Sequence, residues 1–255
     1  MSVRSRIGIL LALAAWPAIA QNTDLPPMTT VVIPVVGSVL GANGVRWKTD
    51  LELRNDGPAE ATVSLVLPTA PDQPAMITTI AGGDTVRFSD VVGQAFGMES
   101  ALSPLLVQTL GRRSVSIHAS AYGVRGSEAL RPEPITFSYN SPFYPIRTLY
   151  GLSFSDSYRT NVGIANLGET EAPVTLALQR IPGRYLAISR LVVPPNTLWH
   201  VPIQALFPLI SDGDDFSILI ETSSTATYVY ASVIENATST AKFVQPSLGS
   251  PASAP

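Results

Sequence analysis

The residues of this 255-residue chain whose types and spacing could support chemistry lie in three places. Ser211 to Phe216 reads SDGDDF and gathers Asp212, Asp214 and Asp215, oxygen ligands of the kind calcium accepts. The stretch lacks the twelve-residue spacing and closing glutamate of an EF-hand loop, so a calcium site is the weaker expectation and an exposed turn opening a strand at Phe216 the stronger. Lys48 to Leu65 reads KTDLELRNDGPAEATVSL, with four acidic and two basic residues around an Asn-Asp-Gly turn. His118 and His200 are the only histidines. Nucleophilic catalysis needs a nucleophile and a base that can meet, and neither histidine sits in a nucleophile motif. With no cysteine and two histidines the chain does not suit a structural zinc site. Gly82-Gly83-Asp84 reads as a turn, because no helix-opening lysine pattern follows it to cradle a phosphate. No catalytic, cofactor-binding or metal residue is therefore assigned, and the chain is expected not to be an enzyme.

An internal repeat decides how the charged stretch is read. Lys48 to Leu65 aligns without a gap on RTNVGIANLGETEAPVTL, Arg159 to Leu176, at an offset of 111 with seven of eighteen positions identical. Gly82 to Phe96 parallels Pro194 to Phe207. Asp50, Glu52, Arg54 and Asp56 become Asn161, Gly163, Ala165 and Leu167, which marks most of the charge as dispensable to the unit. Asn55 and Gly57 persist as Asn166 and Gly168, the types a strand-to-strand hairpin turn uses for a side-chain hydrogen bond and a positive φ. On this reading Gly57→Val destabilises the first unit and Asp50→Asn does little.

The elements that carry these residues read as strands. Trp47, Thr49, Leu51 and Leu53 alternate with Lys48, Asp50, Glu52 and Arg54, the period of two of a half-buried strand. Val63, Leu65 and Leu67, then Val162 and Ile164, then Val174, Leu176 and Leu178 repeat it. Only two short helices fit: Val91 to Phe96, capped by Asp90 and stopped by Gly97, and Ile203 to Phe207, opened by Pro202 at a first helical position. The expected fold is all-β, two tandem immunoglobulin-like Greek-key sandwiches each with one short linking helix.

The N-terminus sets the compartment. Arg4 and Arg6 precede an apolar run from Ile7 to Ala15, Pro17, and Ala18-Ile19-Ala20, the order of a secretory signal over residues 1–20. The run is short of the ~20 residues of a bilayer span, so no membrane span is expected after cleavage. Cleavage removes two positive charges and no negative ones, moving the net charge from -3 to -5. That balance argues against a nucleic-acid partner. Residues 21–30 are read as a leader of the mature chain, 31–140 as the first sandwich, 141–145 as a proline-containing linker, 146–246 as the second sandwich and 247–255 as a disordered tail. Tyr139, Phe143, Tyr144 and Tyr150 are expected to pack at the interface between the two.

The succession VVIPVVG, GVRWKTDLELRNDGPAEATVSL, a Gly-Asp-Thr turn and a DVV helix, with YRTNVGIANLGETEAPVTL as partner form, resembles a tandem immunoglobulin-like β-sandwich repeat of secreted bacterial proteins. The resemblance spans nearly all of the mature chain. It implies an exported bacterial source and a module that often accompanies other domains. The expected function is a non-catalytic structural or interaction module that binds a protein partner in the periplasm or outside the cell. The alternative is a module for a carbohydrate or small ligand, which needs exposed aromatics; Trp47 shares its face with Leu51 and Leu53, which favours burial.

Overall fold

The computed structural model describes residues 28–110, 115–135, 146–181 and 184–248. The expected signal segment, the linker at 141–145 and Tyr139, Phe143 and Tyr144 lie outside the described residues. The first half contains β1 (Met28–Leu40), β2 (Arg46–Asn55), β3 (Ala61–Val66), β4 (Met76–Ile80), β5 (Thr85–Ser89), α1 (Val91–Phe96), β6 (Ala101–Leu110), β7 (Val115–Arg125), β8 (Glu128–Ala129) and β9 (Glu133–Pro134). The second contains β10 (Ile146–Phe154), β11 (Tyr158–Asn166), β12 (Ala172–Ile181), β13 (Arg184–Val193), β14 (Thr197–Pro202), α2 (Ile203–Leu206), β15 (Gly213–Thr222), β16 (Thr227–Glu235), β17 (Ala241–Val244) and β18 (Ser247–Leu248). The chain is all-β with several sheets, and among the described residues no strand of one half pairs with a strand of the other.

The two halves repeat one pairing scheme. The row β4-β3-β6-β1 matches β13-β12-β15-β10, and β5-β2-β7 matches β14-β11-β16. In each row the first strand of the unit lies beside the sixth, whereas in the immunoglobulin order the first two strands are neighbours. The halves differ at their first strand. β1 shifts register between Ile33 and Val36, around Pro34, and its end pairs with β2 from Ser38 to Leu40, which joins both rows of the first half into one sheet. β10 pairs only with β15 and β18, so the second half keeps two separate sheets.

This pairing corrects the hairpin expected at Asn55-Asp56-Gly57. β2 and β3 lie in different rows and do not pair, and the same holds for β11 and β12. The turn is an arch carrying the chain from one layer to the other, and Asn55 is its tie. Asn55 Nδ2 donates to Ala59 O at 2.7 Å and Ile80 O at 2.9 Å, while Oδ1 accepts from Gly57 N at 3.0 Å. Asn166 repeats the set on Thr170 O at 2.7 Å, Val193 O at 3.0 Å and Gly168 N at 2.9 Å. Gly57 and Gly168 are not among the positive-φ glycines, which corrects the expected reason for them. A Cβ at either would stand 3.3 or 3.1 Å from the tying Oδ1, so glycine lets the loop approach that oxygen without displacing it.

Six of the seven identities in the repeat have structural roles. Thr49 Oγ1 accepts from Gly37 N at 3.0 Å, and Thr160 Oγ1 donates to Ser153 O at 2.6 Å, each tying the first strand of its unit to the second. Asn and Gly form the arch, and Ala61, Val63 and Leu65, like Ala172, Val174 and Leu176, are buried. Glu60 and Glu171 alone are exposed. One core gathers Ile33, Leu51, Leu53, Leu65, Leu105 and Ile117, the other Leu149, Val162, Ile164, Leu176, Phe216 and Ile218. Each fully buried side chain of this size contributes about 1.5–3 kcal/mol.

The helices fall at the expected place. Asp90, itself in the left-handed region at φ 88, accepts from Gly93 N at 3.1 Å, and Gly97 closes α1 at φ 66. Pro202 is the N-cap of α2 and not its first residue. Two boundaries differ from expectation. β1 begins at Met28, inside the expected leader, and Ser247–Leu248 of the expected tail form β18 against Arg147 and Thr148.

Candidate functional site

The charged residues of β2 do assemble into a surface. Strand alternation sends Lys48, Asp50, Glu52 and Arg54 outward, and register sets Glu52 between Arg87 and His118, and Asp50 between Ser89 and Ser120. Arg87 Nε meets Glu52 Oε2 at 2.6 Å. That hydrogen bond holds the Glu52 carboxyl below its ordinary range, aided by the charges of Arg87, His118 and Arg54. Lys48 Nζ meets Asp90 Oδ2 at 2.9 Å, the backbone N–H of Asp90 donates to Asp50 Oδ1 at 3.2 Å, and Tyr122 bonds Asp50. Burial pushes Asp50 up, partly offset by those two hydrogen bonds. Asp50, Glu52, Arg87 and His118, together with Pro134 and Ile135, line an open groove of about 580 Å³. His118 is exposed, and among the described residues it makes no hydrogen bond to the neighbouring Ser116 or Ser120.

The same face in the second unit is covered. Its register sets Gly163 between His200 and Tyr230, the counterparts of Arg87 and His118. The Tyr230 ring lies over Gly163: a Cβ there would stand 2.0 Å from Tyr230 Cε1. His200 Nδ1 and the Tyr230 hydroxyl share a 2.9 Å hydrogen bond, and Tyr230 lies nearly parallel to Phe243, centroids 5.4 Å apart. Burial pushes His200 down and Tyr230 up, so both are held neutral. Phe243 packs on the core of the first unit, and Arg125 Nη2 donates to Ser239 Oγ at 2.8 Å. Between the units lies a cavity of about 260 Å³ whose lining includes Trp47, Arg159, Tyr230 and Phe243.

A third feature is the free edge of the second unit. β13 ends the row β13-β12-β15-β10-β18, so among the described residues no strand lies beside one side of its backbone. Its outward positions Leu186, Ile188 and Val192 are about half exposed, as is Tyr185, while Ala187 and Leu191 of the opposite phase pack on the core. Solvent-facing strands ordinarily carry polar residues there. The outer neighbour of Ile188 on β12 is Ala177, and that of Ala177 on β15 is Leu219, so the apolar stripe continues across three strands.

The expected site residues are placed as follows. Asp212, Asp214 and Asp215 sit at the start of β15 and do not converge; among the described residues no three acidic or imidazole groups gather as a metal site. Asn55, Gly57, Asn166 and Gly168 form the two arches. Tyr150 is 52 % exposed on β10 and lines no part of the inter-unit cavity, where Trp47, Tyr230 and Phe243 supply the aromatic surface. Trp47 is half-buried against that cavity. Sequence reasoning missed the Gly163 and Tyr230 pair and the β13 stripe. The signal for the stripe was present in RYLAISRLVV, which is apolar in both phases of its alternation. Compared with known proteins, the chain matches no family model, no curated sequence and no solved structure.

Proposed function

We propose that this protein is an exported, non-catalytic interaction module of two tandem two-layer β units, which captures a protein partner in the periplasm or outside the cell by strand addition along β13. The observation that carries this reading is a ten-residue edge strand with an apolar outward stripe of Leu186, Ile188 and Val192. A free edge offers a row of backbone donors and acceptors to an incoming strand, and alternate side chains of that strand meet the stripe. Natural edges of this length are ordinarily blunted by charge, proline or a bulge; here Arg184 and Arg190 are the charges along it, and a register shift at Leu186 interrupts its pairing with β12, which leaves 187–193 as the regular edge. The N-terminal order of charge, apolar run and small residues supports export. The engagement of His200 by Tyr230, and of Glu52 by Arg87, supports structural roles for groups that could otherwise act as acid or base. Crosslinking in the native cell envelope followed by mass spectrometry tests it. One reproducible partner recovered with the unsubstituted chain, and lost with Ile188→Lys/Val192→Lys at unchanged folding, is the expected result. A partner retained by that variant, or recovery of monomer alone, overturns it.

A further inference from the structure

The outward face of β13 carries one charge inside its apolar stripe. Along the regular edge, residues 187–193, the positions that point away from the core are Ile188, Arg190 and Val192, because Ala187 and Leu191 of the opposite phase pack on it. All three are exposed. Arg190 stands opposite Thr175 on β12, and beyond Thr175 comes Glu221 on β15. Among the described residues Arg190 enters no ion pair and no side-chain hydrogen bond, so Glu221, two strands inboard, leaves its charge uncompensated. A strand that adds to β13 sets its own residues directly opposite these positions, with Cβ atoms about 4.5–5.5 Å away. Opposite charges in such a pair stabilise and like charges destabilise. Arg190 thus selects among incoming strands, while Ile188 and Val192 ask only for apolar partners.

The same charge argues against a second copy of this chain as the occupant. Two copies of 187–193 paired antiparallel across a two-fold axis place Arg190 directly opposite itself. Sliding the copies to part the arginines shortens the paired stretch, and with it both the backbone ladder and the apolar contact. A charge on an edge strand is one of the devices by which natural sheets avoid self-association.

We propose that β13 takes an extended acidic segment of a different protein, one whose alternate residues read apolar, Asp or Glu, apolar, with the carboxylate set on Arg190. The inference rests on the reading of β13 as a capture edge and names the chemistry of the partner. The backbone ladder supplies attachment whatever the sequence, and the charge supplies the choice. An exposed ion pair contributes little affinity, so much of the discrimination comes from rejecting a like charge at that position.

Fluorescence anisotropy of two labelled peptides titrated with the full chain tests the proposal. Thr-Val-Thr-Glu-Thr-Val-Thr places Val, Glu and Val on one face and reads the same from either end, so it presents the pattern to a parallel or an antiparallel approach. Thr-Val-Thr-Lys-Thr-Val-Thr reverses the charge. The glutamate peptide is expected to bind about tenfold more tightly, the scale of exchanging an attractive cross-strand pair for a repulsive one. Arg190→Glu is expected to invert the order and, being exposed, to leave folding intact. Equal binding of the two peptides, or the same preference in Arg190→Glu, overturns the inference and leaves capture by β13 standing. Binding of neither peptide overturns both.

Discussion

The same row of three positions exists twice in this molecule, and the two copies have opposite surroundings. In the first unit it reads Arg87, Glu52, His118 and faces an open groove; in the second it reads His200, Gly163, Tyr230 and lies beneath the other unit. The difference shows what burial does to a sheet face. Where water reaches the row, an ion pair can stand on it at little cost; where a neighbour covers it, charge gives way to an aromatic ring lying on glycine. The comparison also overturns an inference from sequence. Loss of charge between Glu52 and Gly163 reads as proof that the charge is dispensable, but the two positions are subject to different requirements. The second copy reports the demands of a covered face and says nothing about the uncovered one.

Exchanging the residues between the copies breaks the comparison most sharply. Gly163→Glu must displace Tyr230, because even its Cβ would stand 2.0 Å from the ring, and urea unfolding is expected to show a loss of about 3 kcal/mol or more. The reciprocal Glu52→Gly removes an exposed ion pair and places glycine inside a strand, and it is expected to cost only about 1 kcal/mol. Comparable effects of the two would mean that the second face is not held as described.

The two arches come next in size. Asn55→Ala and Asn166→Ala each leave two carbonyls and a glycine N–H without their partner, a cost of about 2–3 kcal/mol in either unit. Because the ties are alike, equal losses are expected from the two substitutions. A loss confined to one would show that the arches are not equivalent despite their shared geometry. Gly57→Val is expected to cost less than Asn55→Ala, since its Cβ contact of 3.3 Å can relax and φ is not at issue.

A smaller effect separates the two faces by pH. Burial lowers the His200 pKa below its ordinary 6.5, so the unfolded state binds the proton more readily. Stability from this group is present above pH 6.5 and declines as pH falls from 6.5 toward the lowered value. Thermal midpoints measured from pH 7.5 to 5 are expected to fall less steeply in His200→Gln than in the unsubstituted chain. An unchanged slope in His200→Gln would remove the imidazole as the cause.

Much of the fold was legible because the repeat carries its own controls. Period-two alternation located β2, β3, β11 and β12, and Asp90 and Gly97 marked both ends of α1. The arch was misread as a hairpin because Asn-Asp-Gly specifies that the chain turns and not which layer it turns toward. That is decided by β3 pairing with β4 and β6, contacts distant in sequence. The glycines were assigned to the wrong cause for a related reason: closeness to Asn55 Oδ1 or Asn166 Oδ1 is a property of the folded loop, and sequence cannot separate it from a need for positive φ. The inter-unit cavity was invisible because Trp47, Arg159, Tyr230 and Phe243 come together only when the units pack. Trp47 shares a strand face with core leucines, so alternation placed it in the core, while its position near the end of β2 leaves it against the neighbouring unit.

The bridge from β1 to β2 gives the first unit a property the second lacks. Ser38 to Leu40 pair with Lys48 to Arg46 across what would otherwise be the gap between two layers. The two layers of the first unit therefore cannot part like the shells of a clam without rupturing backbone hydrogen bonds. The layers of the second unit are tied by side chains instead: Thr160 on Ser153 O, Asn166 on Val193 O and Arg147 on Thr227 O. A side-chain substitution alone can therefore loosen the layers of the second unit, the one that carries the β13 edge.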